Sequence, residues 1–209
     1  MYKNKFKEFG GNFIPDIIEY LKEYIKRDPY VTITIGCDSI QKRKKTVYAI
    51  TIMLYNTDLR NGAHVVFFRE SVDKVRDNNE RLYKEALYLY DIANYINDEL
   101  SGFYRRKDLT NYELKKYKFH LAKCNQEYSY VPLYMEESII NNIILLDSDK
   151  GDYKLVDIHV DFNPIEGFRN KSNIAYKAYV PWLRGVGFRT WAKPLAHAAS
   201  TAADLLLQD

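Results

Sequence analysis

Alternating apolar and polar positions in the first third of the chain predict three strands. The clearest alternation lies in the β-branched run at 31–39, where every second residue falls on the same face of a strand. One face carries Val31, Ile33, Ile35 and Cys37, and the other carries Thr32, Thr34, Gly36 and Asp38. Residues 46–54 and, after the Asn61-Gly62 turn, residues 63–68 have strand-like sequences as well. We therefore expect three strands joined by hairpins.

Apolar residues at helical spacing predict two helices around these strands. The first covers 16–26, after Pro15. The second covers 78–100 with an apolar stripe formed by Leu82, Ala86, Leu89, Ala93, Ile96 and Leu100. At about 100° per residue, Glu85 lies about 60° from the centre of that stripe. Glu85 is therefore either a boundary residue with its carboxylate in water or an acid turned toward a site.

The last third of the chain predicts strands alternating with helices. Residues 153–161 form a strand that ends in Asp161 before a turn. A helix from about residue 171 is interrupted at Pro181 and stopped at Gly185, and a short strand covers 188–192. Pro194 begins a final helix that runs through residue 207. On a helical wheel, its polar sector consists of His197, Ser200, Thr201 and Asp204.

Residues 101–152 interrupt this alternation and are predicted to be an insertion within a single domain that covers 1–209. Basic and tyrosine residues mix at 101–134, and 135–146 has the pattern of a short helix. Bases of single-stranded nucleic acid stack on aromatic rings while Lys and Arg contact phosphates, so this composition suits nucleic-acid binding. It equally suits a solvated surface.

Composition narrows the class of protein without naming a partner. The 209 residues suit one α/β core, and the 46% hydrophobic content argues against disorder. The net charge is only +3, so a nucleic-acid partner would be held by local basic patches. Cys37 and Cys124 form no zinc motif, and no segment has the length or apolarity of a membrane span. We expect a reducing, cytoplasmic location.

Three aspartates lie where structure alone gives little reason for them. Asp38 and Asp161 each end a predicted buried strand, where the alternative role is closing a turn. Asp204 lies in the last turn of its helix, where a negative charge opposes the helix dipole at a cost of about 0.3–1 kcal/mol. Helix stability therefore does not account for Asp204.

These segments together resemble the YkuK-like family of predicted nucleases in the ribonuclease H-like superfamily. That family has a strand ending in Gly-Thr-Asp-Ser-Gln, a Lys-Glu pair in the long helix, a His-x-Asp strand end and a closing helix with Lys-Pro, Ala-Ala-Ser and Ala-Asp. The matching segments here are 36–40, Lys84-Glu85, 159–161, Lys193-Pro194, 198–200 and Ala203-Asp204. The resemblance covers about 30–105 and 153–209. It departs at Cys37, Ile40 and Asn163, and in the insertion.

The resemblance implies a ribonuclease H-like fold. Such a fold has a mixed five-stranded sheet, with three antiparallel strands and then parallel strands, flanked by helices. It also implies that Asp38, Glu85, Asp161 and Asp204 form one site. Two divalent ions about 3.5–4 Å apart would supply a nucleophile and stabilise the leaving oxygen, and hard Mg²⁺ or Mn²⁺ prefers carboxylate ligands. Asp38 would bridge both ions.

Further side chains are weaker candidates for the site. His197 is a candidate for proton transfer, since it shares a helical sector with Asp204. We expect substrate contacts from Ser39, Lys193, Ser200 and Arg169. His159 is interpreted as a packed, hydrogen-bonded imidazole with no catalytic role.

The leading hypothesis is a metal-dependent nuclease that acts on RNA, DNA or an RNA/DNA hybrid. One alternative is a module on the same fold that binds nucleic acid or assembles without turnover. Another is a junction resolvase, which would need a dimer that nothing in the sequence establishes.

Overall fold

A computed structural model describes six stretches of the chain: residues 2–28, 31–56, 62–104, 154–164, 172–193 and 196–208. Nearly all of the predicted insertion, its predicted helix at 135–146 and Arg169 lie outside these stretches. No helix within them is long and apolar enough to cross a membrane.

The six-stranded mixed sheet confirms the predicted fold class. Its strands are β1 (Lys7–Glu8), β2 (Thr32–Gln41), β3 (Lys45–Tyr55), β4 (Ala63–Asp73), β5 (Asp157–Val160) and β6 (Arg189–Trp191). Their order is β1-β4-β3-β2-β5-β6, and β2 pairs antiparallel with β3 but parallel with β5. The predicted number of five strands was wrong by one. The additional strand, β1, pairs with β4 through two residues, too few for any periodicity in the sequence.

The helices are α1 (Ile17–Arg27), α2 (Asn78–Leu100), α3 (Asn173–Gly185), a π-helix (Ala198–Ala203) and α4 (Asp204–Leu207). The bounds of α2 match the prediction, and its start is fixed because the Asp77 carboxylate accepts the Glu80 amide at 2.8 Å. Asp16 caps α1 in the same way. The cap residues thus lie just outside the helices they begin.

Several details predicted for individual elements were wrong. β4 continues to Asp73 rather than ending at residue 68. β5 begins at Asp157 rather than at residue 153. Pro181 lies inside α3 without interrupting it, because the buried Val180 and Leu183 keep that face of the helix packed beyond the missing amide. The final helix was predicted as a regular α-helix, but it is π-helical over Ala198–Ala203, where its backbone lies against the sheet.

Hydrophobic clusters cover both faces of the sheet. The larger one includes alternate residues of β2 and the buried faces of α1, α2 and α3. The smaller one, on the other face, consists of Ala49, Phe67, Ala203, Leu206 and Leu207. The sheet therefore separates a thick layer containing α2 from a thin layer made by the π-helix and α4.

Candidate active site

The parallel pairing of β2 and β5 brings two of the predicted acids side by side. Gly36 is in register with His159, and Cys37 with Val160. Asp38 and Asp161 are the residues that follow this last pair, Cys37 and Val160, along the chain. Since paired residues of parallel strands share a face, both carboxylates lie at the same end of the sheet, on the side of the π-helix.

The aspartates repel one another, and this repulsion contributes to raising the pKa values of Asp38 and Asp161. Burial raises the pKa of Asp38 to about 6, and the charges of Asp161 and Asp204 add to the rise, although the Ser39 amide donates to its Oδ1 at 2.7 Å. The pKa of Asp161 is also raised, first by burial and then by Asp204. The three carboxylates therefore share one electrostatic environment, and a cation there would relieve their repulsion.

Asp204 reaches this environment because the thin layer packs unusually close to the sheet. A Cβ on Gly36 would lie 2.3 Å from the carbonyl carbon of Ala198, so only glycine fits at that strand position. The Thr51 hydroxyl donates to the Ala198 carbonyl at 2.9 Å. These contacts hold the start of the π-helix against the sheet, and Asp204 follows at its end, exposed and within hydrogen-bond distance of Gln208 (3.0 Å).

His159 holds the same helix from the neighbouring strand. Its Nδ1 accepts the Ala198 amide at 3.1 Å, and burial lowers its pKa to about 3. The imidazole is therefore neutral, with its proton on Nε2. This placement agrees with the interpretation of His159 as a packed, hydrogen-bonded imidazole.

Glu85 approaches the site from the thick layer. Its side chain is only 1% exposed, so the alternative that its carboxylate stays in water was wrong. The Ser39 hydroxyl donates to its Oε1 at 2.5 Å, and Arg81 Nη1 lies 3.2 Å from the same atom. Burial and the charge of Asp38 raise the pKa of Glu85 to about 8 despite these two donors.

Arg81 is a site residue that sequence reasoning missed. Besides Glu85, it donates to the Ser39 carbonyl at 2.9 Å, to the Ser39 hydroxyl at 2.6 Å and to Asn78 Oδ1 at 2.9 Å. Its spacing of four residues from Glu85 on one helix was the available signal. Lys84, which the family resemblance had drawn attention to, instead forms an ion pair with Glu80 at 3.0 Å.

Lys193 lies at the site, but its ammonium forms an ion pair with Asp161 and so is not available for a substrate phosphate. Its Nζ is 2.8 Å from Asp161 Oδ2, and its side chain is 41% exposed. The second oxygen of that carboxylate, Oδ1, is buried and has no hydrogen-bond partner in the described part of the chain. Asp161 thus has one oxygen neutralised by an exposed cation and one oxygen left over.

The positions of His197, Ser200 and Ser39 give less support for the roles predicted for them. His197 is exposed and precedes the π-helix, and it contributes to the charge around His159. The Ser200 hydroxyl donates to the Ala196 carbonyl at 2.9 Å, a contact within its own helix. Ser39 is turned toward Glu85 and Arg81.

The donor set suits a hard divalent cation. The set consists of carboxylates, and a buried oxygen of Asp161 has no hydrogen-bond partner among the residues that the structure describes. Within the described residues, no three His, Cys, Asp or Glu side chains are arranged to hold an ion as they stand. Arg81 and Lys193 each hold one of these acids in an ion pair.

Comparison with known proteins adds one match. A family model described as ribonuclease H-like matches residues 14–207, which include every strand from β2 to β6 and all four acids. No curated protein and no solved structure matches the chain.

Proposed function

Because the chain belongs to the ribonuclease H-like family, we propose that it is a metal-dependent nuclease, of the YkuK-like branch, that hydrolyses phosphodiester bonds in RNA, DNA or RNA/DNA hybrids. The observation that supports this most is the electrostatic coupling of Asp38, Asp161 and Asp204 at one end of the sheet. Acids that raise one another's pKa values at a family site are typical of a site built for cations.

In this proposal Mg²⁺ or Mn²⁺ is held by the four acids. Asp38, Glu85, Asp161 and Asp204 would supply the carboxylate oxygens that hold the ions. The ions would supply a hydroxide at neutral pH and stabilise charge on the leaving oxygen.

The chain's own groups would orient these ligands. Ser39 and Arg81 fix the rotamer of Glu85, because both donate to Oε1. His159 fixes the π-helix that carries Asp204. His197, exposed on the same helical segment, is the candidate for proton transfer to the leaving group.

A module that binds nucleic acid without turnover is the second candidate. It is favoured by one observation: Arg81 and Lys193 already neutralise two of the acids, as they would in a protein that needs no metal. The two proposals differ in the role of Asp38: the nuclease needs it for cleavage, whereas the binding module does not.

A cleavage assay distinguishes them. Labelled single-stranded RNA, single-stranded DNA, RNA/DNA hybrid and branched DNA are incubated with the protein in Mg²⁺ and in Mn²⁺. We expect cleavage that Asp38→Asn reduces by at least about 100-fold, a loss comparable to removing one group that stabilises transition-state charge. Asp98→Asn is the matched control, since Asp98 is exposed near the far end of α2.

Each other outcome has a definite meaning. Binding without cleavage on every substrate would contradict the nuclease and support the module. Cleavage confined to branched DNA would indicate a junction resolvase. Equal cleavage by wild type and Asp38→Asn would place the activity elsewhere or in a contaminant.

A further inference from the structure

We propose that the Lys193 ammonium is an internal counter-ion of Asp161 that a divalent cation must displace. This inference rests on the proposed nuclease function, since it concerns the same acids. The sequence alone predicts Lys193 to be only a substrate contact. In this proposal, binding of the metal ion to Asp161 also releases Lys193 from its ion pair.

The first argument is the position of the Lys193 ion pair. Lys193 contacts Asp161, whose carboxylate is beside Asp38 in the register of the two parallel strands and feels the charge of Asp204. A cation shared by these aspartates would have to bind Asp161. The ammonium has three donors and no lone pair, so it can neutralise Asp161 but cannot coordinate a metal.

The second argument is the contrast between Lys193 and Arg81. Arg81 bonds Ser39, Asn78 and Glu85 and is only 18% exposed. Lys193 is 41% exposed and its contact with Asp161 is a single ion pair. An ion pair of this exposure contributes little, so a divalent ion can compete with it, whereas Arg81 is built into its surroundings.

The third argument is the leftover oxygen of Asp161. Lys193 neutralises Oδ2, yet Oδ1 is buried without a hydrogen-bond partner in the described residues. A buried unpaired oxygen is costly, which indicates that the ammonium is an incomplete substitute for the proper occupant. A metal ion able to contact that oxygen would remove the cost and release the lysine beside the site, where a phosphate would be bound.

Calorimetric titration of the full chain with Mn²⁺, without nucleic acid, tests the proposal. We expect Lys193→Met to bind Mn²⁺ about threefold more tightly than wild type, because the competitor is gone. Lys193→Arg keeps a cation and should bind no more tightly than wild type. Lys26→Met is the matched control, since it removes the same charge from the Glu23 ion pair on α1 and should leave the affinity unchanged.

Thermal unfolding gives a second readout that a purely structural lysine would not produce. Without metal, Lys193→Met should unfold about 2 °C below wild type, because the aspartates lose their counter-ion. With saturating Mn²⁺ the difference should disappear. A lysine that only supports the fold would leave the same difference with and without Mn²⁺.

Asp38→Asn separates failure of this inference from failure of the proposed function. If Asp38→Asn abolishes Mn²⁺ binding while Lys193→Met binds Mn²⁺ as wild type does, Lys193 is not a competitor and the inference alone is overturned. If wild type and Asp38→Asn bind Mn²⁺ equally, or neither binds it, the metal site itself is wrong and both proposals fall.

Discussion

Glu85 and the aspartates lie on opposite faces of the same sheet end, and their surroundings differ. In the thick layer, Glu85 is buried and its Oε1 accepts from both Ser39 and Arg81. In the thin layer, Asp38 and Asp161 repel each other, and one oxygen of Asp161 has no hydrogen-bond partner within the described stretches of the chain. The first arrangement is a satisfied buried network, whereas the second leaves negative charge unrelieved. The comparison teaches that one half of the site is held in place by the fold, whereas the other half keeps negative charge that the proposed metal ions would relieve.

Gly36→Ala should have the largest effect, because it breaks the thin layer where it meets the sheet. The new methyl group would clash with the backbone of Ala198, and neither backbone can move freely. We expect a loss of about 3 kcal/mol in the free energy of unfolding, measured by urea titration. Gly185→Ala is the control, since a Cβ there meets nothing within 4 Å. Equal stability of the two variants would contradict the close approach.

Arg81→Met tests the thick layer and should cost nearly as much. It removes the cation from buried Glu85 and the donor to the Ser39 carbonyl. At about pH 9, above the raised pKa of Glu85, the variant leaves an unpaired buried charge, which typically costs about 3 kcal/mol in the free energy of unfolding. Lys84→Met, which breaks an exposed pair on the same helix, should change the free energy of unfolding by less than about 0.5 kcal/mol. A small effect of Arg81→Met would mean that the thick layer is no better satisfied than the thin one.

Asp38→Asn should have the opposite sign. In metal-free protein at pH 8, it removes a charge that burial and the neighbouring aspartates disfavour, while its amide oxygen can still accept the Ser39 amide. We expect the free energy of unfolding to rise by about 1 kcal/mol. Chemical denaturation in EDTA measures it, with Asp98→Asn as the neutral comparison. A loss of stability would show that Asp38 supports the fold.

The smallest expected effect is the pH dependence of the metal-free protein. The pKa values of Asp38 and Glu85 are raised to about 6 and about 8, so the folded state holds their protons more tightly than the unfolded state does. Their contribution to stability is complete below the unfolded pKa values and is lost as pH rises through 6 and then 8. We therefore expect stability to fall by about 1 kcal/mol between pH 6.5 and 8.5.

Two comparisons check the origin of that pH dependence. Glu85→Gln should flatten the decline above pH 7, because it removes the group that titrates there. Below pH 6.5 stability should rise less steeply with falling pH than the two acids alone predict, since the pKa of His159 is lowered to about 3 and its contribution to stability is lost as pH falls. Stability that rises steadily from pH 6.5 to 8.5 would contradict both shifts.

The sequence predicted the elements whose signal is local. α2 was predicted with its observed bounds, because a long apolar stripe follows the Asp77 cap. Alternation predicted the strand that holds Asp38 and the strand that precedes Asp161, but the prediction that Asp38 ends its strand was wrong, because β2 continues to Gln41. The neighbouring positions of the two aspartates follow from parallel pairing. β1 was missed because a two-residue strand has no period.

What the sequence could not predict depends on contacts between distant segments. The burial of Glu85 is set by Ser39, which is 46 positions away in the chain. The π-helix begins at Ala198, where the backbone approaches Gly36 closely, and a helical wheel, which assumes a regular α-helix, contains neither feature. The Lys193–Asp161 pair depends on a long, flexible side chain whose direction sequence spacing does not fix.

The position of Asp204 so late in the chain has a consequence for biosynthesis. The last strand of the sheet, β6, ends at Trp191, and both the helical segment packed against Gly36 and Asp204 come after it in the chain. A ribosome-bound intermediate that ends before residue 198 would therefore hold Asp38 and Asp161 without their last partner. If the proposed nuclease needs Asp204, it would therefore gain activity only after this segment has been synthesised and has folded, away from the messenger RNA that encodes it.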